Sequence, residues 1–147
     1  MFLRNSNIKE TTREHIMKTF ESRTIRHSRC DCYHFFITVT KLAALREEGI
    51  PASLINSRFA KPLDTQMLME AASKHTLVVT MEENVINGGF GEHITRFYNE
   101  HGIYVNVLNI AIPDEYVEHG NVDILYHEVG IDADTILKRI KEVYHPL

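Results

Sequence analysis

Tryptophan is absent from the 147 residues, and cysteine is limited to two. Two cysteines cannot build the disulfide framework on which small secreted domains depend, so a reducing, cytoplasmic setting is expected. No apolar run approaches the ~20 residues that cross a bilayer, which argues against a membrane protein. The amino end has no charged-then-apolar layout of the secretory kind. Basic charge is also scarce: 16 lysines and arginines face 20 acidic residues, a net charge of −4. What basic charge there is gathers early. Residues 1–29 carry a net +4, leaving −8 on the remainder. An acidic body repels nucleic-acid phosphates, so no nucleic-acid partner is expected.

The length suits one compact domain, and 44% hydrophobic with 24% charged residues is an ordinary globular mixture. Residues 1–38 form a divergent basic segment with little legible pattern. Within it, Thr11 to Phe20 has the apolar spacing of a short helix, and Cys32 to Val39 reads as a strand. From Lys41 the pattern becomes regular. Lys41 to Glu48 is expected as a helix stopped by Gly49, and Pro51 opens a short strand through Ala52, Leu54 and Ile55. Asp64 is placed to cap a helix bearing Met67, Leu68, Ala71 and Ala72 on one face. Thr76 to Met81 is a β-rich run of the kind buried on both faces.

Farther on, the glycines at 88, 89 and 91 precede a helix with Ile94, Phe97 and Tyr98, ending near Gly102. Tyr104 to Ile112 reads as a strand closed by Pro113. Asn121 is set to cap a short helix containing Ile124, Leu125 and Val129, which Gly130 stops. Asp132 is set to cap a last helix with Ile136, Leu137, Ile140, Val143 and Tyr144. Strands alternating with helices predict an α/β fold with a parallel or mixed sheet and helices on both faces.

Three groups of residues invite a chemical reading. Glu82, Glu83 and Asn84 follow the Thr76–Met81 strand, at the carboxyl edge where ligands and partners meet open α/β sheets. Adjacent carboxylates can do acid–base work, but neighbours on a strand point opposite ways, which favours paired or solvated structural roles. The Gly88–Gly91 turn joins strand to helix, where backbone N–H groups can hold an anion. It matches neither the dinucleotide fingerprint nor the P-loop, and close helix–sheet packing explains the glycines equally well. His27, Cys30, Cys32 and His34 lie near one another, but C-x-C lacks the paired-knuckle spacing of structural zinc. His75, His93, His101 and His119 are scattered, and no nucleophile elbow is present. The residues themselves define no complete active site, and no catalytic, cofactor-binding or metal-binding residue is assigned.

Three blocks together resemble a known family. Asn56 to Asp64 resembles the R-F-x-K-P-L-D junction of the C-terminal transketolase-like domain. Val78 to Asn84, followed by Gly88-Gly89-Phe90-Gly91, is similar to that domain's V-T-x-E-E-N…G-G-x-G segment. Leu108 to Asp114, with Glu118-His119-Gly120 and Val129 to Ala133, is similar to the closing block of 1-deoxy-D-xylulose-5-phosphate synthases. The likeness covers residues 39–147. It implies a three-layer α/β/α domain with a mixed, mostly parallel five-stranded sheet, the last domain of a thiamine diphosphate enzyme.

Such a synthase condenses pyruvate with glyceraldehyde 3-phosphate and releases carbon dioxide, serving isoprenoid synthesis. In the family, thiamine diphosphate and magnesium sit between the first two domains, on a Gly-Asp-Gly motif that this sequence lacks. The resemblance therefore implies no cofactor held by this chain alone. It implies interface and structural roles for Arg58, Lys61, Asp64, Glu82, Glu83, Asn84, Gly88, Gly89, Gly91 and His119. The implied partners are the synthase's N-terminal and middle domains or a homodimer mate, met through an exposed apolar patch. Two alternatives stand beside it. One is a subunit of a split transketolase-like enzyme, the other a module binding a phosphate metabolite at Gly88–Gly91.

Overall fold

The computed structural model describes residues 2–4, 45–55, 57 and 60–144. Its elements run β1 (Phe2–Arg4), β2 (Ala52–Ser53), α1 (Thr65–Lys74), β3 (His75–Val85), α2 (Phe90–Glu100), β4 (Asn106–Ile112), α3 (Val122–Glu128) and α4 (Ala133–Val143). The described strands form one sheet in the order β2-β1-β3-β4. β3 and β4 are parallel, with Val79 opposite Leu108, while β1 runs antiparallel to both β2 and β3.

Helix boundaries follow from short polar side chains that satisfy otherwise unpaired amides. Asp64 accepts from the N–H of Met67 at 3.0 Å, and Asn121 from that of Asp123 at 2.9 Å. Asp132 accepts from Asp134 at 3.0 Å and Thr135 at 3.2 Å. At the other ends, Gly49, Gly102 and Gly130 take positive φ angles of 81°, 63° and 71°, which only glycine adopts without strain.

Two apolar layers cover the sheet. Leu77 and Val79 of β3 and Ile110 of β4 pack with Leu45, Ile131 and the α4 residues Ile136 and Ile140. Val78 turns to the opposite face and packs with Leu68 and Ala71 of α1 and Ile94, Phe97 and Tyr98 of α2. The alternation follows from the two-residue period of a strand. Leu77 to Thr80 are all buried, as the unbroken β-rich run predicts. Helices thus flank both sides of a mixed sheet.

Several boundaries differ from the sequence reading. β3 continues through Glu82, Glu83 and Asn84 to Val85, because β4 keeps pairing with it as far as Val85 opposite Ile112. β4 begins at Asn106, two residues after Tyr104, whose ring is 99% exposed. The strand after Pro51 is confined to Ala52 and Ser53. On α3, Ile124 is exposed although its apolar character suggested the core. Phe2–Arg4 supplies a strand between β2 and β3, where the local sequence gave no pattern. The readings of Thr11–Phe20 and Cys32–Val39, the first half of the Lys41–Glu48 helix, and the His27, Cys30, Cys32 and His34 group lie outside the described residues.

Candidate functional site

The carboxyl end of β3 sends its two glutamates to opposite faces. Glu82 points toward α2, where its Oε2 accepts from the N–H of Phe90 at 2.7 Å and its Oε1 from that of Gly91 at 2.8 Å. Those amides open α2, and the positive end of a helix dipole favours a carboxylate there. Glu92 accepts from the N–H of Gly88 in the same turn. The chain's own carboxylates therefore fill the cradle that a phosphate would need. This corrects the reading of Gly88–Gly91 as a phosphate-metabolite site: its first helical donors are already satisfied by an internal anion.

Each glycine has a geometric reason. Gly88 sits at φ +76°, in the left-handed region. A Cβ on Gly89 would meet Glu82 Oε1 at 2.6 Å and the Val85 carbonyl at 2.7 Å. A Cβ on Gly91 would meet Asn109 Oδ1 at 2.6 Å and press on Thr80 Oγ1. Beneath Gly91 runs a polar chain from sheet to helix. Thr80 donates to Asn109 Oδ1 at 2.8 Å, Asn109 Nδ2 donates to Thr95 Oγ1 at 3.2 Å, and Thr95 donates to the Gly91 carbonyl at 2.9 Å. Thr80 is 4% exposed, so this pairing spares a buried hydroxyl the cost of losing water.

On the opposite face Glu83 accepts a hydrogen bond from the Tyr126 hydroxyl, which ties α3 to the end of β3. Ile86 N–H donates to the Ile112 carbonyl at 2.9 Å, and Asn87 Nδ2 to Asp114 Oδ2 at 2.9 Å. These bonds hold the turn after β3 against the segment leaving β4. Asn84 is exposed at the end of β3, and His119 is exposed in the loop between β4 and α3.

The structure thus gathers Glu82, Gly88, Gly89 and Gly91 into one hydrogen-bonded unit, with Glu83 on the reverse face. Lys61 is exposed in the junction before α1, and Asp64 serves as the cap of that helix. Arg58 lies outside the described residues. Sequence reading missed Thr80, Thr95, Asn109 and Tyr126. A polar Asn109 inside the apolar run 107–112 was the available signal for the first three.

Burial and hydrogen bonding shift the acidities of Tyr98 and Asp132. Burial pushes the Tyr98 hydroxyl up to about 12, and it donates to the Leu68 carbonyl at 3.0 Å, joining α2 to α1. Burial alone would raise Asp132, but hydrogen bonds from Thr135, Asp134 and His127 bring it below the usual carboxylate range. A shallow open depression runs along α4, lined by Asp134, Leu137, Lys138, Lys141 and Glu142. Lys141 is paired with Glu48 at 2.6 Å and Lys138 approaches Glu142 at 4.0 Å, so its cations already have carboxylate neighbours.

A diphosphate–magnesium group does not fit these residues. The amides that open α2 are taken, and among the described residues no three His, Cys, Asp or Glu side chains converge on a metal-sized point. Among them, too, no helix is long and apolar enough to cross a membrane.

The family model for the transketolase C-terminal domain matches residues 35–136. The chain belongs to this family. Among its relatives are three 1-deoxy-D-xylulose-5-phosphate synthases. That of Aquifex aeolicus (strain VF5) is 41% identical over 98 residues, 67% of this chain and 16% of that protein. That of Caldanaerobacter subterraneus subsp. tengcongensis is 44% identical over 103 residues, 67% of this chain and 17% of that protein. That of Lachnoclostridium phytofermentans is 46% identical over 97 residues, 65% of this chain and 16% of that protein. This transketolase C-terminal domain therefore spans about a sixth of the length of the curated relatives it matches. A solved structure described as a split gene transketolase, inactive beta4 tetramer, shares the fold. It superposes with a TM-score of 0.66 at 24% identity, covering 74% of this chain and 34% of its own.

Proposed function

We propose that this chain is the C-terminal part of a thiamine diphosphate-dependent 1-deoxy-D-xylulose-5-phosphate synthase and serves it by support and interface. The parent reaction joins pyruvate to glyceraldehyde 3-phosphate with loss of carbon dioxide, and the cofactor supplies a carbanion equivalent when bound. The observation that carries the supporting role is the Glu82 carboxylate seated on the amides of Phe90 and Gly91. That anion makes the glycine turn a structural joint. The synthase identity is supported by relatives above 40% identical across about two thirds of the chain.

Within this reading Arg58, Lys61, Asp64, Glu82, Glu83, Asn84, Gly88, Gly89, Gly91 and His119 are interface or structural residues. Thiamine diphosphate and magnesium belong to the N-terminal and middle domains, which are the partners together with a homodimer mate. The five-stranded, mostly parallel sheet and a cytoplasmic location belong to the same proposal. The boundary near residue 38 is proposed as the start of the family likeness. It is not a boundary of the sheet, since Phe2–Arg4 pairs within it.

A reconstitution assay tests the reading. The Aquifex aeolicus synthase, trimmed of the region this chain matches, is assayed for 1-deoxy-D-xylulose 5-phosphate formation with and without the full chain. Restored, cofactor-dependent product is expected; a folded, trimmed synthase that the chain never rescues would refute the proposal. A second reading, a subunit of a split enzyme, is favoured by the split-gene description of the structural neighbour. Co-purification with a separately encoded larger chain distinguishes it.

A further inference from the structure

The end of the sheet where β3 and β4 finish has an unusual surface. Tyr116 is 90% exposed and Ile124 is 59% exposed, and Val85 and Ile86 also face outward. The hydrogen bonds from Ile86 to Ile112 and from Asn87 to Asp114 hold the turn beside the start of the loop that carries Tyr116. Tyr126 on Glu83 anchors α3, the helix bearing Ile124, to the same end. Large apolar groups left in water around one edge mark a contact surface.

The segment that carries Tyr116 and Ile124 has charge of one sign. Between positions 112 and 131 lie Asp114, Glu115, Glu118, Asp123 and Glu128, and no lysine or arginine. Two copies of this segment would set carboxylates against carboxylates, which opposes isologous pairing through it. It complements a face of opposite charge. Because the chain spans about a sixth of its relatives' length, most of the polypeptide it would meet lies outside it.

We infer that the carboxyl end of the sheet is the docking face for the remainder of the synthase, whose contact surface is apolar at its centre and rimmed with lysine and arginine. This rests on the synthase reading above and specifies its surface and chemistry. Tyr116 is the central anchor, since a large, rigid and amphipathic ring contributes much of the energy at such interfaces. Glu115 and Glu118 on the same loop supply the acidic rim.

The test measures binding of the full chain to the trimmed Aquifex aeolicus synthase, whose folding is first verified by circular dichroism. Binding is expected to weaken as salt rises, because rim charges are screened. The double variant Glu115→Lys/Glu118→Lys is expected to lose about tenfold in affinity, as is Tyr116→Ser. The neutral pair Glu115→Gln/Glu118→Gln should fall between, and Glu47→Lys, before β2 at the other end of the sheet, should bind as the parent does. Binding that ignores both the Glu115/Glu118 and Tyr116 changes would overturn the docking face while leaving the synthase reading standing. No binding by the parent chain would overturn both. Dimerisation of the full chain at low salt, lost in Tyr116→Ser, would also overturn the proposal by making a second copy the occupant.

Discussion

Glu82 shows how one side chain can join a strand end to the start of a helix. Its carboxylate accepts two amides at the start of α2, and charge-assisted bonds of this kind contribute about 1.5–3 kcal/mol each where solvent is excluded. Glu82 is half-buried, so Glu82→Ala is expected to lower stability by about 2 kcal/mol, read as a lower urea midpoint with unchanged slope. Gly91→Ala should cost a similar amount, since its methyl must displace Asn109 and Thr80. Asp132→Ala removes the cap of α4 and is expected to cost about 1 kcal/mol at neutral pH. The pH dependence has a definite sign. Asp132 titrates lower folded than unfolded, so its contribution is full above the ordinary aspartate range near ~4 and fades as pH falls through the folded value. Urea midpoints of parent and variant should therefore converge in acid; a gap that widens there would contradict the assignment. These residues differed in legibility. Asp64, Asn121 and Asp132 could be read because caps act within three positions, whereas the partners of Glu82 lie eight and nine positions away and depend on how α2 lands on the sheet.

At the scale of elements, local pattern succeeded where one element meets the core by itself. The α4 period placed Ile136 and Ile140 in the core, and the run from Leu77 to Thr80 was buried on both faces as expected. Pattern failed where pairing partners decide. β3 runs on to Val85 because β4 lies beside it, and Phe2–Arg4 joins the sheet through residues some fifty to seventy-five positions away. Three residues carry too short a period to announce such a strand. α3 illustrates another limit: Ile124 has the apolar character of a core residue, yet the helix presents it to solvent. The joint between α1 and α2 gives a prediction at this scale. Tyr98→Phe removes the hydroxyl that donates to Leu68 and leaves the ring packed, so a loss of about 1 kcal/mol is expected in equilibrium unfolding. An unchanged midpoint would show that the bond adds nothing beyond packing.

In the whole molecule, two apolar layers clamp a sheet whose carboxyl edge is closed internally on one face and left apolar and acidic beyond. The layers make the fold: Ile140→Ala, at a fully buried position, is expected to cost about 2–5 kcal/mol. The closed turn explains why three glycines in a row of four need signify no ligand. The family blocks from Asn56 to Ala133 carried the architecture in sequence, but whether the glycine turn was a ligand site or a joint required the position of Glu82 in space. The chain spans about a sixth of the length of its relatives, which is the setting in which the supporting role is proposed. The most direct measurement of that claim is product formation by the purified full chain alone, supplied with pyruvate, glyceraldehyde 3-phosphate, thiamine diphosphate and magnesium. The account predicts no 1-deoxy-D-xylulose 5-phosphate above a heat-killed control; thiamine-dependent product from this chain by itself would contradict it.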